Sequence, residues 1–295
     1  MIHSRSWRKK LIPSTRGAST AVSTVILTGT IVALLSVTAV YVNNILWMKA
    51  AESDFNSAKE FMQTMGLQID DVAWTTGRKG TVRYSSAYGS VGFLPSAFNY
   101  SVYVRVQGSA DYQLFASRTV GVLLFNMPVS KYSVYDGYYE LLYPASAQNL
   151  TLSGTSAPVA RVFGVEKLTP KMSDGSFARV VVAPSVRSLF SSMTTASGST
   201  LYTRLYLPVL AQGSINGSRQ SVTLTGNSLT ALTKNRVTSV KVIVSFPSTA
   251  SQMGFDASFF KFPVVEQVFD VPAGYSDSQI ELYIAEVKVD LGAHS

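Results

Sequence analysis

Residues 17–48 read GASTAVSTVILTGTIVALLSVTAVYVNNILWM, with no charged residue between Arg16 and Lys49. A helix needs roughly 20 apolar residues to cross a bilayer, and this run exceeds that. The preceding stretch, MIHSRSWRKKLIPST, carries Arg5, Arg8, Lys9 and Lys10 ahead of Arg16 and contains no acid. A basic cluster beside an apolar span is a topology signal that holds that side in the cytoplasm. An ordinary secretory signal has a shorter apolar core followed by a small-x-small cleavage site. Here the apolar run is too long, and the distinctive residues come before it.

The helical pattern does not stop at Met48. Trp47, Ala51, Phe55, Ala58, Met62, Met65, Ile69 and Val72 step by three or four residues and trace one apolar stripe. Glu52, Asp54, Lys59, Glu60, Gln63 and Gln68 fill the other faces. Thr75–Thr76–Gly77 is a stop signal, with Gly77 as C-terminal cap. The spacing predicts one nearly continuous helix from about Ala18 to Trp74, roughly 80–90 Å at 1.5 Å per residue. Its first half is apolar all round and its second half amphipathic. Gly29 and Gly66 are its expected weak points, since glycine costs up to about 1 kcal/mol in a helix interior.

Composition closes off several chemistries. There is no cysteine, which excludes disulfides, thiolate metal sites and a cysteine nucleophile. The two histidines are His3 and His294, so an imidazole metal site or triad within the fold is excluded. The net charge of +8 resembles a nucleic-acid signal until it is mapped: five of those charges precede Gly17, leaving three for the rest. Nucleic acid is therefore not an expected partner. No metal and no cofactor is expected.

After Gly77 the texture changes. Short runs rich in Val, Tyr, Phe, Leu and Thr alternate with Gly, Ser, Asn and Pro clusters. Strands are predicted at 81–84, 100–106, 112–116, 120–125, 138–143, 150–152 and 160–165. More follow at 177–182, 201–207, 221–225, 237–246, 264–271 and 280–291. Alternation is clean through 239–244 and 281–289. Asn216–Gly217 is the favoured dipeptide of a type I′ hairpin turn, and Arg187–Thr195 is the one downstream stretch that suits a short helix. The expected fold is α+β: a long N-terminal helix, then an all-β antiparallel, Ig-like sandwich head of one or two sandwiches. The domains expected are a basic leader at 1–17, a transmembrane and polymerisation helix at 18–76, and an extracellular head at 77–295. A split within the head is placed near 166–176, where EKLTPKMSDGS is polar and rich in breakers.

The basic leader, a glycine at the cleavage position and an immediate long apolar helix resemble the class III signal of type IV pilins and related filament proteins. The variant is similar to the archaeal form, with Arg16–Gly17 followed by Ala18–Ser19–Thr20. Bacterial pilins usually resume with Phe or Met and carry Glu at mature position five, which here is Val22; archaeal pilins commonly lack that glutamate. The match covers residues 1 to about 75. It implies cleavage between Gly17 and Ala18 by a membrane prepilin peptidase, insertion with the N-terminus cytoplasmic, extraction, and packing of helices from copies of this chain or related pilins into a surface filament. Val25, Ile31, Leu34, Leu35, Trp47, Phe55 and Met62 are the helix-packing candidates. For Trp47, Phe55 and Met62, burial against the chain's own head is the equal alternative.

Three sequons, at Asn99, Asn149 and Asn216, are formal N-glycosylation acceptors on an exported head. Aromatic density peaks in Lys131–Tyr143, KYSVYDGYYELLY, which suits an exposed stacking surface but suits ordinary strand packing better. Asp70 and Asp71 are neighbours on a helix and point about 100° apart, so they do not converge. No P-loop, G-x-S-x-G, H-E-x-x-H or calcium loop is present, and Glu60, Glu140, Glu166, Glu266, Glu281 and Glu286 cannot be paired by sequence. The chain is expected not to be an enzyme. The rival expectation is a non-polymerising, membrane-anchored surface protein whose head binds a glycan or protein partner. A third, an anchored hydrolase, requires converging carboxylates in the head.

Overall fold

Helix α1 runs from Thr15 to Ala73, 59 residues, in a computed structural model that describes residues 15–144, 149–167, 176–196, 198–216, 220–272 and 274–292. Most of the basic stretch 1–17, expected to be a leader, both histidines and most of the 166–176 stretch lie outside the described residues. The helix therefore starts a few residues before the expected Ala18 and ends one residue before Trp74. Gly77 takes the left-handed φ of 83° expected of a cap, and its N–H donates to Gly226 O at 2.7 Å.

The chain divides into two compact units, Met1–Ala50 and Ala51–Ser295. The division cuts α1 rather than falling at the expected 76/77 boundary. The physical reason is the stripe itself. From Ala51 onward one apolar stripe of the helix is covered by other elements of its own unit, whereas every side chain from Val22 to Ala50 is exposed.

In the second unit, strands follow the helix: β1 (Lys79–Arg83), β2 (Ser90–Val106), β3 (Gln113–Pro128), β4 (Tyr139–Tyr143), β5 (Thr151–Ser153), β6 (Ala160–Glu166) and β7 (Phe177–Pro184). Then come β8 (Val186–Thr195), β9 (Gly198–Ile215), β10 (Ser221–Asn235), β11 (Val237–Ser245), the short helices α2 (Ser248–Gln252) and α3 (Ala257–Phe260), β12 (Glu266–Asp270) and β13 (Asp277–Leu291). Two sheets form, ordered β1-β10-β13-β9-β8-β5 and β12-β11-β2-β3-β7-β6-β4.

Three expectations change here. Arg187–Thr195 is strand β8, paired with β9 from Arg187↔Tyr206 to Thr195↔Gly198. Its Ser and Thr residues gain more from a ladder than from a helix that competes with their hydroxyls. The sheets are not wholly antiparallel, because β9 pairs with β13 and β5 with β8 in parallel. Asn216–Gly217 does not close a hairpin of neighbours, since β13 lies between β9 and β10; residues 217–219 are outside the described ones. Strands β6 and β7, on either side of the breaker-rich 166–176 stretch, pair with each other as far as Glu166↔Ala178; residues 168–175 lie outside the described ones.

Two buried clusters hold the unit together. One joins the two sheets, with Val122, Leu124, Phe163 and Val181 meeting Leu205, Leu207, Ile280 and Leu282. The other gathers α1 residues Phe55, Met62, Met65, Ile69 and Val72 with the opposite faces of the same strands, including Leu123, Phe125, Val162, Val180, Val287 and Val289. Strands β6 and β7 are consequently buried on both faces, including the charged residues Arg161, Glu166 and Arg179. Gly66 is a contact point rather than a weak point: a Cβ there would meet Val162 Cγ2 at 2.8 Å.

Candidate functional site

The first unit presents the candidate site. Every side chain from Val22 to Ala50 is exposed. Val25 is 72% exposed, Leu34 62%, Leu35 64% and Ile31 48%. Such a surface in water would be costly, at about 25 cal/mol per Å² of apolar area left wet. Three hydroxyls within it bond back along the helix: Thr28 Oγ1 donates to Thr24 O, Thr30 Oγ1 to Ile26 O and Ser36 Oγ to Val32 O, each at 2.8 Å. With backbone groups bonded along the helix as well, this segment meets the requirement for life in hydrocarbon. Among the described residues, α1 is the one helix long and apolar enough to cross a membrane. Arg16, Gly17 and Ala18 fall in its first turns.

The packing candidates divide at Ala51. Phe55 and Met62 are completely buried in their own unit, whereas Trp47 is 55% exposed. Polar contacts fix the buried part of α1. Asp54 Oδ2 accepts from Ser86 Oγ and from the N–H groups of Ala87 and Tyr88. Gln63 Nε2 donates to Leu142 O. Lys59 Nζ lies 2.6 Å from Glu140 Oε2 and 3.0 Å from Tyr138 Oη, and Tyr138 Oη also donates to Glu140. Burial disfavours the charge on Lys59, but the bonds to Glu140 and Tyr138 outweigh it and hold the ammonium pKa above its ordinary value. The same bonds from Lys59 and Tyr138 hold the Glu140 carboxyl below its ordinary value.

The aromatic run 131–143 is largely used up in this packing. Tyr132 packs on Phe55, Tyr139 on Phe163, and Tyr138 serves Lys59, leaving Tyr135 as the exposed ring of the run at 60%. Asp70 accepts from Arg187 and Trp74, while Asp71 pairs with Arg78, so the two acids diverge as expected. The glutamates likewise take separate partners: Glu140 with Lys59, Glu166 with Ser133 and Val134, Glu266 with Lys241, Glu281 with Arg204, and Glu286 with Asn227. Of the sequon asparagines, Asn149 is exposed. Asn99 sits in β2 between Thr119 and Ser245, with its Oδ1 buried and unbonded, and Asn216 is half-buried.

Comparison with known proteins finds nothing: no family model, no curated protein and no solved structure matches this chain. The site is therefore read from its own chemistry. Sequence reasoning found the apolar segment but missed the partners that hold its continuation. Lys59 and Glu140 stand 81 positions apart, and no local signal joins them.

Proposed function

We propose that this chain is a structural subunit of an archaeal type IV pilus-like surface filament. It polymerises through α1 and carries a β-sandwich head for adhesion or surface contact. One observation supports the reading above others. Along a single helix, the side chains from Val22 to Ala50 are exposed and mostly apolar, and from Ala51 one stripe is buried. A plain membrane anchor needs the first part and does not need the second. A filament subunit needs both, because its helix must leave lipid and pack against copies of itself while staying rigidly joined to its head. The small residues Ala18, Ser19, Thr20, Ala21, Ser23 and Gly29 suit close approach between helices. The partners in this reading are the membrane before assembly, a prepilin peptidase acting at Gly17, and other copies or related pilins afterwards. The role is structural and not enzymatic.

Intact-mass measurement and N-terminal sequencing of protein from its native cells test it. A chain beginning at Ala18 is the expected result, and Gly17→Leu should retain the leader and remain in the membrane. A chain beginning at Met1 and never found in fibres would replace this reading with the non-polymerising anchor. Val25→Asp should cost about 2.5–3.5 kcal/mol of insertion, and normal fibre yield from it would contradict a bundle built on this segment.

A further inference from the structure

A second site lies in the strand-rich unit, at the corner where the chain passes from one sheet to the other. Strand β10 belongs to the six-stranded sheet and β11 to the seven-stranded one, and a single residue, Arg236, connects them. Arg236 takes a φ of 57°, in the left-handed region that a residue with a Cβ adopts only at a cost. Glycine or asparagine would hold that turn with less strain. Arg236 holds it nonetheless, as Lys261 does at a φ of 43°.

Beside it is a cavity of about 210 Å³, lined by Gln107, Arg236, Thr238, Tyr275, Asp277 and Ser278 among others. The small hydroxyls around it are already committed. Thr238 Oγ1 donates to Arg105 O at 3.1 Å, Ser276 Oγ to Ser199 O at 2.8 Å, and Ser278 Oγ to Val237 O. Asp277 uses Oδ1 on Ser278 N at 2.8 Å. Gln107, Arg236 and Asp277 are exposed and Tyr275 is half-buried, and among the described residues the side chains of Gln107, Arg236 and Tyr275 make no hydrogen bond or ion pair, which leaves them open to a ligand from solvent. The cavity thus combines an aromatic ring, a cation, a carboxylate with one oxygen unused, and a carboxamide that can donate and accept.

We propose that this corner is a binding subsite for one neutral sugar ring of a glycan. The size limits the ligand, since cavities for drug-sized molecules are roughly 300–1,000 Å³. Arg236 and Asp277 cancel in charge, which disfavours both an anion and a cation and favours a ring of hydroxyls bonding to each. Tyr275 supplies the apolar wall against which the C–H face of a sugar packs. The site does not depend on the filament reading and would serve an anchored monomer equally well.

The test uses the full chain in detergent with methyl glycosides of glucose, galactose, mannose and N-acetylglucosamine as probes, followed by saturation-transfer NMR. At least one glycoside should receive saturation from the wild type. Arg236→Gly and Gln107→Ala should each weaken that binding at least tenfold, and Arg236→Gly should melt at or above the wild-type temperature because the turn is relieved. Three results would overturn the proposal: no transfer to any of the four, transfer unchanged in both variants, or an Arg236→Gly protein that melts well below wild type.

Discussion

Lys59 on α1 and Glu140 on β4 form a 2.6 Å ion pair that joins the helix to the edge strand of the seven-stranded sheet. The two side chains are 20% and 45% exposed, so the pair works in a partly solvated setting and its strength is modest. Its pH dependence follows from the two pKa directions. Glu140 is held below its ordinary 4.5, so its contribution is present above that pH and is lost as pH falls through the depressed value. Lys59 is held above 10.5, so its contribution is present below that pH and is lost as pH rises through the raised value. Glu140→Gln should therefore destabilise the protein by about 0.5–1 kcal/mol at pH 7, a drop of about 1–4 °C in melting temperature. Below the depressed Glu140 value the variant and wild type should melt together. Equal melting temperatures at pH 7 would show that the pair contributes nothing.

The division of α1 at Ala51 predicts opposite responses to the same kind of truncation. Met62 is fully buried between the sheet faces, and Met62→Ala should cost about 2–5 kcal/mol. Leu34 is exposed, and Leu34→Ala should change the stability of the strand-rich unit by less than about 0.5 kcal/mol. Denaturant unfolding of the full chain in detergent, followed by fluorescence, measures both. Comparable losses in the two variants would mean that the unit extends further along the helix than Ala51.

Gly226 of β10 lies against the end of α1. Its N–H donates to Arg78 O at 2.9 Å and its carbonyl accepts from Gly77. A Cβ there would lie 2.4 Å from Val72 O and 2.5 Å from Thr75 O, and both obstacles are backbone. Gly226→Ala should destabilise by about 1–3 kcal/mol through forced backbone shifts. A wild-type unfolding midpoint for this variant would mean that the helix end moves aside without cost.

The three sequons are not equivalent once folded. Asn149 is exposed just ahead of β5, while the Asn99 carboxamide oxygen is buried within β2. On protein from native cells, glycopeptide mass spectrometry should find a glycan at Asn149 and none at Asn99, and Asn149→Gln should reduce the intact mass by that glycan. A glycan at Asn99 would require modification before the strand joins its sheet.

Much of the candidate site is legible locally. The absence of charge from Gly17 to Met48, the stripe from Ala51 to Val72 and the stop at Gly77 are all encoded within a few helical turns. The Asp256 cap of α3 is local in the same way: its carboxylate accepts from Ser258 N and Phe259 N. Arg187–Thr195 is a strand and not the expected short helix because a Ser- and Thr-rich segment takes its conformation from the ladder offered to it, here β9.

The sequence by itself determined that a long helix opens the chain, that it changes character near residue 50, and that strands follow. Those are properties of period, charge and turn chemistry, which act over a few residues. Only the tertiary structure decided which strands are neighbours, that β9 and β13 run parallel, that Phe55 and Met62 are covered while Trp47 is largely exposed, and that Arg236 sits strained beside a cavity. These depend on contacts between segments far apart in the chain, where packing of whole faces overrides local preference.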